Sequence, residues 1–65
     1  MQIDLNGTPF TVLARSLADV LEELDYGGLA VATAVNGTFV PAAARAGTLL
    51  QDGDRIEVLA PMQGG

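Results

Sequence analysis

The chain has 65 residues with no cysteine, histidine or lysine, and eight acidic residues against three arginines give it a formal net charge of −5. This length allows one small domain, which must be stabilised by apolar packing because disulfides and cysteine-bound metals are excluded. The negative charge argues against nucleic acid or an anionic membrane as the partner, and no apolar run is long enough to span a bilayer. Without a secretion signal at Met1, the chain is predicted to be cytoplasmic.

A β-hairpin is predicted at the start of the chain. Residues 1–5 alternate apolar and polar side chains, which is the period of a strand with one buried face. Asn6 and Gly7 follow, and both residue types readily adopt the positive φ of a type I′ turn. The second strand, over residues 8–13, should lie at a sheet edge because Pro9 cannot donate to a ladder. The side chains expected to point inward are Met1, Ile3, Leu5, Phe10 and Val12.

A helix is predicted after Ser16, whose hydroxyl can cap the free N–H groups of the first turn. Its apolar stripe is formed by Leu17, Val20, Leu21 and Leu24. The acidic side chains on its other faces are interpreted as a solvated surface rather than a metal or catalytic site: Asp19, Glu22, Glu23 and Asp25. Gly27 and Gly28 are expected to end the helix in the left-handed conformation.

The second half of the chain predicts further strands. Residues 29–35 form an apolar run with no glycine, proline or charge, which indicates a strand covered on both faces or nearly so. A turn at Asn36 and Gly37 leads to a short strand that stops at Pro41, and residues 42–46 can form one helical turn.

The last strand is predicted over residues 55–60, with Ile56 and Val58 pointing inward. Leu49 and Leu50 should return to the core just before it. Between them and the strand, Asp52, Gly53 and Asp54 form a polar turn, and turn chemistry explains the two carboxylates better than a metal site. Residues 1–60 are therefore expected to form an α+β domain, a mixed sheet of four to five strands with one main helix across one face.

Residues 61–65 are predicted to be a flexible tail, because they have no helical period, no charge and two terminal glycines. The tail residues are Pro61, Met62, Gln63, Gly64 and Gly65. Five extended residues span up to about 16–18 Å, and the glycines make the tip thin enough for a narrow channel. Because no side chain pairing supports nucleophilic catalysis, the chain is not expected to be an enzyme. The Gly65 carboxylate is the candidate reactive group, and a frayed end is the alternative.

Five segments occur in an order and spacing that resemble the ThiS family, the sulfur carrier proteins of thiamine biosynthesis. They are residues 1–7 with Met-Gln-Ile and then Asn-Gly, helix residues 17–24, the run 31–41 that ends in Val-Pro, the turn and strand 52–57, and the terminal Gly64 and Gly65. The resemblance covers essentially the whole chain. It implies a ubiquitin-like β-grasp fold, which agrees with the α+β arrangement.

The resemblance also implies that this chain is a carrier on which other enzymes act. A partner adenylyltransferase related to ubiquitin-activating enzymes (ThiF-type) would use ATP and Mg²⁺ to convert the Gly65 carboxylate into an acyl-adenylate. Sulfur relayed from a cysteine desulfurase would displace AMP and leave a thiocarboxylate, from which a thiazole synthase (ThiG-type) would build the thiazole ring of thiamine. Residues 61–64 would contact the partner's channel, and this chain itself would bind no cofactor.

Several alternatives stay open. Molybdopterin synthase small subunits and carriers for tRNA thiolation or cysteine synthesis also end in Gly-Gly on this fold. A protein-tagging modifier would join Gly65 to lysines, and a plain interaction module would not need the glycines. Members of the family often carry a basic residue after the Val-Pro step. Here alanines follow, so a docking charge is either lost or moved to Arg45. Phe39 and Leu59 fit either a recognition patch or the core.

Overall fold

The structure is a computed structural model that describes residues 1–60. The expectations for residues 61–65 lie outside the described residues. The five strands are β1 Gln2–Leu5, β2 Thr8–Thr11, β3 Ala32–Val35, β4 Thr38–Val40 and β5 Arg55–Leu59, and the helices are α1 Leu17–Glu23 and a 3₁₀-helix, Ala42–Gly47. Within residues 1–60, no helix is long and apolar enough to cross a membrane.

The strands form one mixed sheet in the order β2-β1-β5-β3-β4. The parallel pair is β1 with β5, and the other neighbours are antiparallel. Pro9 lies on the edge strand β2, as predicted, where its missing N–H breaks no ladder. The five-stranded sheet with one main α-helix confirms the predicted α+β class and the ubiquitin-like β-grasp arrangement.

The core lies between α1 and one face of the sheet, called here the inner face. Its buried apolar residues are Ile3, Leu5, Val12, Leu17, Val20, Leu21, Val40, Leu50, Ile56 and Val58. The predicted inward sides of the first and last strands and the apolar stripe of the helix are confirmed, with Met1, Phe10 and Leu24 half-buried at the margin. Ser16 caps α1 as predicted, since its Oγ accepts a hydrogen bond from Asp19 N at 3.1 Å.

The prediction that residues 29–35 form a strand covered on both faces is wrong. Strand β3 is shorter, and Thr33 is buried while Ala32 is exposed. Leu29 is exposed as well. The helix covers one face of the sheet only, so the outward alanines on β3 reflect a small-residue surface and not a second buried layer.

The predicted helix stop at Gly27 and Gly28 is also wrong. Asp25 adopts the left-handed conformation instead, with a φ of 68°. Asp25 N donates to Glu22 O at 3.1 Å, and Tyr26 N donates to Leu21 O at 2.7 Å, which is the bonding of a Schellman cap. Tyr26 is half-buried against the core, and this contact ends the helix before the glycines are reached.

Of the two leucines expected to enter the core, Leu50 does and Leu49 does not. Leu50 N donates to Arg15 O at 2.8 Å, next to an antiparallel bridge between Ser16 and Leu49, and the Leu49 side chain faces solvent. The carboxylates of Asp52 and Asp54 accept main-chain N–H groups, as turn residues do. Among residues 1–60, no group of acidic residues is arranged to hold a metal ion.

Candidate functional site

Strand β5 leads directly into the tail and occupies the middle of the sheet. It pairs with β1 on one side and with β3 on the other. Alternation along β5 buries Ile56 and Val58 and exposes Arg55, Glu57 and Leu59. Strand β5, which precedes residues 61–65 in the chain, is therefore anchored through its inner face, while its outer face is open.

An apolar patch lies on the outer face beside the end of β5. Its members are Ala32, Ala34, Phe39 and Leu59, called here the outer-face patch. Register places Ala32 opposite Leu59, and Ala34 opposite both Phe39 and Glu57. Directly opposed residues in antiparallel strands have Cβ atoms about 4.5–5.5 Å apart, so these side chains are neighbours. Together with Thr33 and Glu57, they line a shallow depression of about 180 Å³.

Exposure decides between the two interpretations of the large apolar residues. Phe39 is 65% exposed and Leu59 is 72% exposed, so neither belongs to the core. The small alanines of β3 form the floor between them. A contiguous apolar patch on the surface of a small domain is typical of a site for protein contact. The sequence analysis missed Ala32 and Ala34 as members of this site, and the signal that marks them is their alternation with the inward Thr33.

Arg45 is half-buried and hydrogen-bonded to the segment around the start of β3. Its Nη2 donates to Val31 O at 2.5 Å, and its Nε donates to Thr33 Oγ1 at 3.0 Å. The hydroxyl of Thr33 in turn donates to Val40 O at 2.8 Å. The guanidinium ties the 3₁₀-helix to β3 and to Val31, the residue before it. Whether the family's docking charge is lost here or moved to Arg45 stays a prediction, since these neutral acceptors leave the charge of the guanidinium in place.

One acidic side chain of the helix, Glu23, has a structural role in the loop that precedes it. Glu23 accepts hydrogen bonds from Ala14 N at 2.9 Å and from Leu13 N at 3.0 Å. These main-chain N–H groups, Ala14 first, lower the pKa of the Glu23 carboxyl below its ordinary value. The side chain thereby closes the loop between β2 and α1. Among the described residues, every buried side-chain polar atom has a hydrogen-bond partner.

Comparisons with known proteins decide the family. The model of the ThiS family matches residues 3–65. The chain belongs to the ThiS family. The crystal structure of the thiamine biosynthesis protein ThiS from Geobacter metallireducens is similar, with 30% identity and a TM-score of 0.84 over 100% of both chains. An NMR solution structure of a thiamine biosynthesis protein from the same organism has 30% identity and a TM-score of 0.76, over 100% of this chain and 88% of that one. A search of curated proteins gave no significant match.

Membership of the ThiS family confirms the resemblance that the sequence predicted. The match reaches Gly65, and so includes the whole predicted tail. Strand β5 ends at Leu59, and the domain boundary predicted after Ala60 stays a prediction. The roles predicted for Pro61, Met62, Gln63, Gly64 and Gly65 stay predictions, because these residues lie outside the described part of the chain.

Proposed function

We propose that this ThiS-family chain is a sulfur carrier of thiamine biosynthesis whose reactive group is the carboxylate of Gly65. The observation that carries the proposal is the family match over residues 3–65, which extends through the terminal glycines. The chain's own chemistry supports a carrier rather than an enzyme, because it has no histidine or cysteine. The predicted cytoplasmic location stays a prediction.

The proposed reaction takes place on partner enzymes. A Gly65 carboxylate oxygen attacks the α-phosphorus of ATP on a ThiF-type adenylyltransferase, and pyrophosphate leaves with its Mg²⁺. The resulting acyl-adenylate has AMP as a good leaving group. The terminal sulfur of a persulfide relayed from a cysteine desulfurase attacks the acyl carbon and displaces AMP, which leaves an acyl disulfide. A thiol of the relay then attacks the sulfur of the donor cysteine, so that a disulfide forms and the Gly65 thiocarboxylate is released. The thiocarboxylate donates its sulfur on a ThiG-type thiazole synthase.

The outer-face patch supports docking of the adenylyltransferase next to the tail. Leu59 belongs to the patch and is separated from Pro61 only by Ala60. A partner that covers Leu59 and Phe39 therefore has the start of the tail at the rim of the same interface. The net charge of −5 additionally favours a partner with a basic rim, since complementary charge speeds encounter.

Intact mass spectrometry tests the proposal. The purified chain is incubated with the adenylyltransferase of the same organism, Mg-ATP and a sulfur donor, and we expect the mass increase of one oxygen-to-sulfur replacement. A variant lacking Gly64 and Gly65 is the control and should not change in mass. The proposal would be contradicted if the mass of the full chain stayed the same under conditions in which a known carrier is adenylated and pyrophosphate is released from ATP.

The pathway is tested in cells. A strain without this chain should require thiamine or its thiazole precursor for growth, and the full chain but not the variant lacking the two glycines should restore growth. If the strain instead lacked the molybdenum cofactor or thiolated tRNA, or required cysteine for growth, the carrier would be assigned to that other pathway. Recovery of Gly65 joined to lysines of other proteins would assign it to the tagging modifiers.

A further inference from the structure

The end of β5 that leads to the tail extends beyond β1. Parallel pairing of the two strands ends at Leu5 and Ile56, because β1 turns into its hairpin at Asn6. On the other side of β5, pairing with β3 continues as far as Leu59. The main-chain groups of Val58 on the β1 side therefore have no strand opposite them.

The side chain of Asn6 takes the place of the missing strand. Val58 N donates to Asn6 Oδ1 at 2.9 Å, and Asn6 Nδ2 donates to Val58 O at 3.0 Å. The main chain of Asn6 also donates to Ile56 O at 2.9 Å. One residue thus continues the ladder for a further position. The hydrogen bonds fix the amide orientation, since exchanging its nitrogen and oxygen would set donor against donor and acceptor against acceptor.

The hairpin turn alone does not require asparagine at this position. Asn6 has a φ of 53°, which glycine, asparagine and aspartate tolerate best. Glycine would form the turn but has no amide. Aspartate would keep an acceptor for Val58 N and place a second oxygen against Val58 O. Among these turn-forming residues, asparagine alone makes both hydrogen bonds.

The second hairpin turn contains a matched residue at the other end of β5. Asn36 occupies the same turn position, with a φ of 50°. Arg55 N donates to Asn36 Oδ1 at 2.9 Å, and Asn36 N donates to Arg55 O at 2.7 Å. The two turn asparagines therefore hold β5 from opposite sides, Asn36 at its first residue and Asn6 close to its last.

We propose that Asn6 is a positioning residue for the reaction at Gly65. Its amide holds Val58, two residues before Ala60, and so fixes the end of the strand to which residues 61–65 are attached. It also keeps the end of β5 ordered before a partner binds. Without the amide, the end of β5 would keep its backbone freedom until the partner binds. The conformational entropy then lost on binding would weaken the affinity. This inference rests on the proposed function.

Steady-state adenylation by the partner enzyme tests the inference with Asn6→Gly and the matched control Asn36→Gly. Measured where circular dichroism shows all proteins fully folded, Asn6→Gly should raise the KM for the carrier about tenfold and leave kcat within about twofold. Asn36→Gly should leave both values within about twofold, because it loosens the end of β5 remote from the tail. Asn6→Asp keeps the turn and should raise the KM in the same direction as Asn6→Gly.

Equal KM values for Asn6→Gly and Asn36→Gly would overturn the inference while leaving the proposed function intact. Absence of adenylation of the wild-type chain would instead overturn the proposed function.

Hydrogen exchange tests the amide contact without any partner. In the wild-type chain the Val58 N–H should exchange as slowly as that of Ile56, and Asn6→Gly should accelerate it at least about tenfold. Exchange of the wild-type Val58 N–H as fast as that of Ala60 would overturn the inference even if a variant failed to fold.

Discussion

The inner and outer faces of the same sheet use similar side chains for different purposes. On β5, Ile56 on the inner face is 1% exposed, whereas Leu59 on the outer face is 72% exposed. Both residues are aliphatic, so their chemistry does not separate them. The two-residue period of the strand does, because one helix covers only one face of the sheet. Apolar residues on the inner face stabilise the domain, and those on the outer face remain free to contact a partner.

The largest expected effect is the loss of an inner-face side chain. Ile56→Ala should lower the free energy of unfolding by about 2–5 kcal/mol, because it leaves a cavity in a core that has little other apolar area to compensate. Urea unfolding followed by circular dichroism measures the change. If Ile56→Ala destabilised the domain no more than Leu59→Ala does, the distinction between the two faces would be wrong.

Substitutions in the outer-face patch should weaken binding to the partner and leave the stability of the domain almost unchanged. Leu59→Ala and Phe39→Ala should each weaken binding to the adenylyltransferase about tenfold, and change the free energy of unfolding by less than about 0.5 kcal/mol. Leu13→Ala is the matched control, because Leu13 is 91% exposed but lies outside the patch. Titration calorimetry with the partner measures the affinities. Equal affinities for all three variants would show that the patch does not dock this partner.

The parts of the fold that the sequence predicted correctly are those fixed by local chemistry. The turns at Asn6 and Asn36 have the positive φ values that their residue types allow, and the hydroxyl of Ser16 caps the helix. The alternation in β5 predicted its buried side correctly because period two leaves no other choice once one face is covered.

The errors arise where a contact distant in sequence overrides a local preference. The apolar run around β3 predicted two covered faces, but the number of layers depends on the rest of the chain and not on the run. The glycines after α1 predicted its end, but packing of Tyr26 ends it earlier at Asp25. The role of Arg45 was undecidable from sequence, since its partners belong to β3 and the segment before it.

The helix end allows a smaller change that should act on stability alone. Asp25 has a φ of 68°, a conformation in which glycine has no Cβ penalty. Asp25→Gly should therefore raise the free energy of unfolding by about 0.5–1 kcal/mol, and Asp25→Ala should lower it. Chemical denaturation measures both, and affinity for the adenylyltransferase should not change. A stabilising effect of Asp25→Ala would contradict the left-handed cap.

The smallest expected effect concerns the pH dependence of the helix layer. Hydrogen bonds from Ala14 N and Leu13 N lower the pKa of Glu23 in the folded chain below its ordinary value of 4.5. A carboxyl whose pKa is lower in the folded than in the unfolded state stabilises the fold above the unfolded pKa, and this contribution is lost as the pH falls through the folded pKa. Glu23→Gln should therefore be less stable than the wild type at neutral pH, and the difference should shrink as the pH falls below 4.5. Urea unfolding at a series of pH values measures the difference, which would stay constant if the carboxylate charge contributed nothing. Partner affinity at neutral pH should be the same for both proteins, because Glu23 closes the loop before the helix and takes no part in the outer-face patch.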